Sequence, residues 1–125
     1  MLALDDCLSE VMAIPGALDA LVVDHTSGTA VAVGGGAGGF DAEVSAAALS
    51  ETLRATMDGL AQASPDGTVR IDDMIVVTDK GYHLLKPLEM VFEGPLVIYL
   101  RLDLERANLA LARHRLQAIS GRLTV

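Results

Sequence analysis

The chain has 125 residues, 51% of them hydrophobic, with 17 Asp and Glu against 9 Lys and Arg, one Cys, no Trp, two Tyr and two Phe. That length fits a single domain, residues 1–125, able to bury roughly two-thirds of the surface its unfolded form exposes, so no disulfide framework is needed and none is available. A net charge of −8, with ten acids against Arg54 alone in residues 1–66, opposes phosphate-backbone binding, and so few aromatics leave no base-stacking platform; nucleic acid is excluded as a partner.

Residues 2–13 place Leu4, Cys7, Leu8 and Val11 on one helical face, with Asp5, Asp6, Ser9 and Glu10 outside it. Cys7 reads as a small buried hydrophobe in a reducing, cytoplasmic setting. The first residues carry acids where a secretory signal carries bases, and no apolar run approaches ~18 residues, so neither export nor direct membrane insertion is expected. Pro15-Gly16 ends this helix. Ala17–Asp24 and Thr29–Val33 then read as strands, joined by His25-Thr26-Ser27-Gly28, a connection short enough that only an antiparallel hairpin fits.

Gly34-Gly35-Gly36-Ala37-Gly38-Gly39 satisfies G-x-G-x-x-G, follows a strand and precedes a helix. A dinucleotide site is nevertheless not indicated. The preceding strand is the second arm of a hairpin, Asp41 and Glu43 place like charge where a phosphate would sit, and five glycines in six residues meet the pattern trivially. The segment reads as a flexible connection.

Asp41 can cap a second helix running to about Gln62. Leu49, Leu53, Met57 and Leu60 form one apolar stripe on it, while Val44, Ala47, Ala48 and Ala55 form another, roughly opposite. The leucine stripe is expected on the sheet, and the small-residue face would let a second helix approach closely, most simply the same helix of a second subunit. The competing reading is Ala as a good helix former on a solvated face, with Glu51 in its middle.

Ser64-Pro65-Asp66-Gly67 is a turn, after which Val69–Thr78, the tight turn Asp79-Lys80-Gly81 and Tyr82–Leu88 read as strand, turn, strand. Phe92-Glu93-Gly94-Pro95 leads into Leu96–Leu102, which is apolar on both faces and belongs mid-sheet. Asp103 fits the N-cap of a last helix whose stripe runs through Leu109, Ala112, Leu116, Ile119 and Leu123, leaving Arg106, Arg113, Arg115 and Arg122 facing solvent. The order is helix-strand-strand-helix-strand-strand-strand-helix. Short connections make the five-stranded sheet antiparallel, and strands apolar on both sides need helices on both, giving an α+β fold arranged as a three-layer α/β/α sandwich.

No residue set points to catalysis. His25, His83 and His114 lie in a turn, a strand and a helix without metal-ligand spacing. Asp72 and Asp73 would point to opposite faces of a strand, no Ser sits in a nucleophile elbow, and Cys7 has no evident base beside it. Neither a cofactor nor a metal is expected.

Two segments, LDDCLSEVMAIPGALDALVVDHTSGTAVAV and LVIYLRLDLERANLALARHRLQAI, resemble the Roadblock/dynein light chain family, and the similarity extends over nearly the whole chain. The resemblance implies the middle helix on one face of the sheet and the terminal helices on the other. It implies a noncatalytic protein that pairs with itself through the middle helix and the following edge strand, placing Val44, Ala47, Ala48, Glu51, Arg54, Ala55 and Asp58 with Ile75 and Val77 of the Val69–Thr78 strand on the partner and dimer surface. Bacterial proteins of this family act on Ras-like small GTPases, as activators or binding platforms, so a small GTPase is the implied partner. Arg54 is the conceivable arginine finger, although an arginine there more often pairs within its helix with Glu51 or Asp58. Seven Arg against two Lys fit a GC-rich bacterial source. Two other readings stand beside this one: a structural adaptor indifferent to nucleotide state, and a small-ligand sensor using a pocket between sheet and helices.

Overall fold

The computed structural model describes residues 3–35, 41–88 and 95–123. In chain order these form α1 (Leu4–Met12), β1 (Ala17–Asp24), β2 (Thr29–Gly35), α2 (Ala42–Ala63), β3 (Met74–Thr78), β4 (Gly81–Leu88), β5 (Leu96–Leu102) and α3 (Leu109–Leu123). The strands make one antiparallel sheet in the order β2-β1-β5-β4-β3. The doubly apolar β5 is indeed central, hydrogen-bonded to β1 on one side and β4 on the other.

Alternation along the strands divides the core in two. Ala20, Leu84, Ile98, Leu100 and Leu102 pack with Cys7, Leu8 and Val11 of α1 and with Ala112, Leu116, Ile119 and Leu123 of α3. Leu21, Val23, Leu85, Val97 and Tyr99 face the other way, against Ala46 and Leu53 of α2. The result is the three-layer arrangement expected, with α1 and α3 on one face and α2 on the other. Ion pairs tie α3 to its surroundings: Arg113 holds Asp73 through two hydrogen bonds at 2.8 and 3.2 Å, and Arg122 holds Glu10 of α1 at 2.6 and 2.8 Å. The four arginines are exposed as read, and Arg106, Arg113 and Arg122 also make ion pairs.

Three boundaries and one burial pattern depart from the sequence reading. β3 begins at Met74 rather than Val69, because Val69–Asp73 forms a non-strand link in which Ile71 packs into the α2-side core. Asp103 caps a turn rather than α3: its carboxylate accepts the N–H groups of Glu105 and Arg106, the turn ends, and Asn108 accepts the Leu111 N–H to start the helix. β2 runs on through Gly34 and Gly35, pairing with Ala20 and Asp19, so the glycine run begins inside the sheet. A Cβ on Gly35, which has φ +75°, would lie 2.6 Å from the Leu18 carbonyl oxygen. The rest of that run and the Phe92-Glu93-Gly94 turn lie outside the described residues. Finally, Leu60 is exposed, and Ala46 and Ser50 are buried in its stead.

Candidate interaction surface

The cap of α2 forms as read, with Asp41 Oδ1 accepting the Val44 N–H at 3.1 Å. Ala46, Ser50 and Leu53 are buried, and Leu49 and Met57 are partly so. Small residues line this contact because the helix lies close to the β1–β2 hairpin, whose Gly28 sits beneath Ala47 and Ser50. The opposite face carries Val44, which is 66% exposed, with Ala47, Ala48, Glu51, Arg54, Ala55 and Asp58, all exposed. Arg54 donates to Glu51 at 2.9 Å.

β3 forms one edge of the sheet and pairs only with β4 among the described residues. Val76 lies on the α2 side and is 45% exposed; Val77 lies on the α1/α3 side and is 62% exposed. Ile75 shares the face of Val77 but packs partly buried against the core there. Its side chain is taken, and its place at the edge rests on its backbone.

A polar row crosses the α2 side of the sheet next to this edge. Thr78 Oγ1 lies 2.7 Å from His83 Nε2, and His83 Nδ1 lies 2.8 Å from the Tyr99 hydroxyl. Arg101 donates its Nε–H to Asp19 at 2.8 Å and a second N–H to the Lys80 carbonyl at 2.9 Å, tying β1, β5 and the β3–β4 turn together. Burial lowers the His83 pKa, and the Arg101 charge acts in the same direction. Burial raises that of the Tyr99 hydroxyl. Both side chains are therefore neutral near pH 7, and the row works as a set of structural hydrogen bonds.

No protein-family model and no curated protein matches the sequence significantly. Solved structures do match. Myxococcus xanthus MglB aligns with a TM-score of 0.77 at 19% identity, covering 98% of this chain and 95% of that one. A structure described as MglB with tetrameric arrangement aligns at 0.72 and 15% identity over 95% of this chain and 83% of that one. The Roadblock/LC7 domain from Streptomyces avermitilis aligns at 0.70 and 18% identity over 97% and 94%. The chain has the Roadblock/LC7 fold.

On this Roadblock/LC7 fold the residues singled out in sequence fall into two groups, one on the outer face of α2 and one on β3. The sequence reading held Val76 within the Val69–Thr78 strand but did not single it out, since its exposure follows only from knowing that β3 is an edge strand. It also missed the pairing of Asp19 with Arg101 across β1 and β5, for which a lone charge in each apolar strand was the available signal. Among the described residues no helix is long and apolar enough to cross a membrane, and no group of three His, Cys, Asp or Glu is placed to hold a metal. Between α2 and the sheet, the void lined by Val23, Leu49, Ser50, Leu53, Leu85 and Val97 has no room for a water molecule. An open cleft of about 240 Å³ lies elsewhere, between Arg70–Asp72, the end of β4 and Gln117–Gly121 of α3. The void under α2 is closed to a small ligand, and the cleft between β4 and α3 is the space between sheet and helix that the small-ligand reading would use.

Proposed function

We propose that this chain is a non-catalytic, homodimeric regulator or binding platform for a Ras-like small GTPase. One observation carries the reading: a helix with a buried face and an exposed face of Val44 and alanines covers the sheet face on which Val76 of the open edge strand β3 is also exposed. Exposed apolar residues on a helix face and on an open strand edge mark association surfaces, and a surface used twice by identical chains closes on itself. The tetrameric arrangement named for one MglB of the same fold supports assembly from identical chains, the dimer being the simplest such unit.

The resemblance noted in the sequence supports the partner class. Phosphoryl transfer by small GTPases depends on positioning and electrostatics, so a protein without catalytic groups can still accelerate it by stabilising a hydrolysis-competent switch arrangement in the GTPase. Arg54 is already paired with Glu51, which favours that indirect mechanism over an arginine finger.

Small GTPases from the same genome, loaded with GTP analogue or GDP, should be captured by the purified protein in a nucleotide-dependent way, with hydrolysis measured alongside. Capture in both states alike would move the reading to a structural adaptor. Absence of binding in either state, with sedimentation showing a monomer, would end it.

A further inference from the structure

We infer that the cleft between the end of β4 and the last turns of α3 binds a small oxyanion, a phosphate or a carboxylate, against the Lys86 ammonium. The inference depends neither on a dimer nor on a GTPase partner. β3 begins at Met74, opposite Leu85, so Lys86, Pro87 and Leu88 run on past it. The Arg70–Asp72 link on one side and Gln117, Ser120 and Gly121 of α3 on the other frame an open cleft of about 240 Å³ over this overhang. Strand alternation puts Lys86 on the same face as Leu84 and Leu88, both buried in the core under α1 and α3, and the fully buried Ile98 stands opposite it in β5. A leucine or valine would suit that row. The chain places a cation there instead, half-buried at the cleft.

Among the described residues no carboxylate comes within ion-pair distance of Lys86. Its Nζ donates to the Asp72 backbone carbonyl at 2.9 Å, a neutral acceptor that leaves the charge in place. The carboxylate of Asp72, the acid among the described residues lining the cleft, lies 3.4 Å from Arg70 instead. An ammonium has three N–H groups, so two remain for a ligand, and a half-buried cation without a counter-charge is the group that an anion stabilises most. The exposed amide of Gln117 can add a donor from the α3 wall. Gly121 keeps that wall open, since a Cβ there would meet nothing within 4 Å.

Size and backbone chemistry narrow the occupant. The cleft is smaller than the roughly 300–1,000 Å³ of sites for drug-sized ligands, which suits an ion or a small acid. Pro87 has no N–H to give, so the overhang cannot build a full ladder with an added peptide strand. Both observations favour a compact anion over a peptide.

The isotope-labelled full chain, titrated with sodium phosphate and separately with malonate while chloride holds the ionic strength constant, gives the test by NMR. Saturating shifts at the amides of Lys86, Ser120 and Gly121, with a Kd of about 1 mM or tighter, are expected for at least one of the two anions, and the tighter one names the source. Lys86→Met keeps an aliphatic stem and should weaken binding by about tenfold or more, whereas Lys86→Arg should retain it. Gly121→Leu fills the cleft without altering charge, suits a helix better than glycine, and should weaken binding as well. A lysine kept there only to bar strand addition would give no saturable response. Absence of saturation with both anions therefore overturns the inference and leaves the GTPase reading untouched. Binding that Lys86→Met and Gly121→Leu both leave unchanged puts the anion elsewhere and overturns it too.

Discussion

Gly16 and Ala107 meet where the chain enters β1 and leaves β5: a Cβ added to Gly16 would lie 2.8 Å from the Ala107 Cβ, and Gly16 holds φ at +87°. The Gly16 carbonyl also accepts the Asp103 N–H at 2.8 Å. Gly16→Ala adds left-handed strain and a collision in which backbone atoms of Ala107 take part, so it should cost about 2–4 kcal/mol. A urea midpoint equal to that of the parent protein would show this seam to be loose.

Asp19 is buried, with a side chain 8% exposed, and its carboxylate is met by Arg101 at 2.6 Å. Replacing Arg101 with Met leaves that carboxylate without its cation, at an expected cost of about 3 kcal/mol. Asp19→Leu combined with Arg101→Met should recover most of the loss, since no charge is then left behind. Equal destabilisation in the single and double variants would contradict this account.

Ser50 has a buried Oγ without a hydrogen-bond partner among the described residues, facing a void too small for water. An orphaned hydroxyl is a cost, so Ser50→Ala should stabilise the protein by about 1 kcal/mol. Thermal unfolding reads this directly, and a lower melting temperature would mean that the hydroxyl has a partner after all.

His83 titrates below its ordinary value near 6.5 because burial disfavours the imidazolium and the Arg101 charge opposes it further. The unfolded chain therefore takes up the proton first as pH falls. The contribution of neutral His83 is complete above pH 6.5, is lost as pH falls toward the folded-state value, and levels off below it. Stability measured at pH 7.5 and pH 5.5 should differ less in His83→Gln than in the parent, and the native imidazole should show an NMR midpoint under 6.5. A midpoint above that value reverses the sign and refutes the argument.

Ala48 is exposed on the outer face of α2. Glu at that position would be desolvated without a partner in a close helix contact, so Ala48→Glu should shift the protein to monomer while leaving its circular dichroism unchanged. Unaltered sedimentation of the variant would move the interface elsewhere.

The elements were legible where periodicity and composition agreed. β5 declared itself central through seven residues without a polar face, and α2 through two apolar stripes. What periodicity could not say is which stripe of α2 meets the sheet at each point. Ala46 and Ser50 are buried because the hairpin comes close, and Leu60 is left exposed, a tertiary fact with no local signature. The Asp103 side chain makes the bonds of a helix cap, but the turn it closes ends against Gly16, and only the packing of Ala107 there moves the helix start to Leu109. Val69–Asp73 has strand composition yet carries the chain from α2 to the sheet edge. The interaction surface was legible as a list of residues; its division between side-chain contacts on α2 and backbone contacts on β3 was not.

The position of β5 sets the order in which this protein can be made. β1 with β2, and β3 with β4, are local hairpins that neighbouring residues can close, yet the two halves touch in the sheet only through a strand that is synthesised after both. During translation the hairpins must wait as separate pieces until residue 102 has left the ribosome, and the α1 side stays open until α3 follows. A chain stalled before residue 96 holds four of the five strands and still lacks the one that joins its two hairpins.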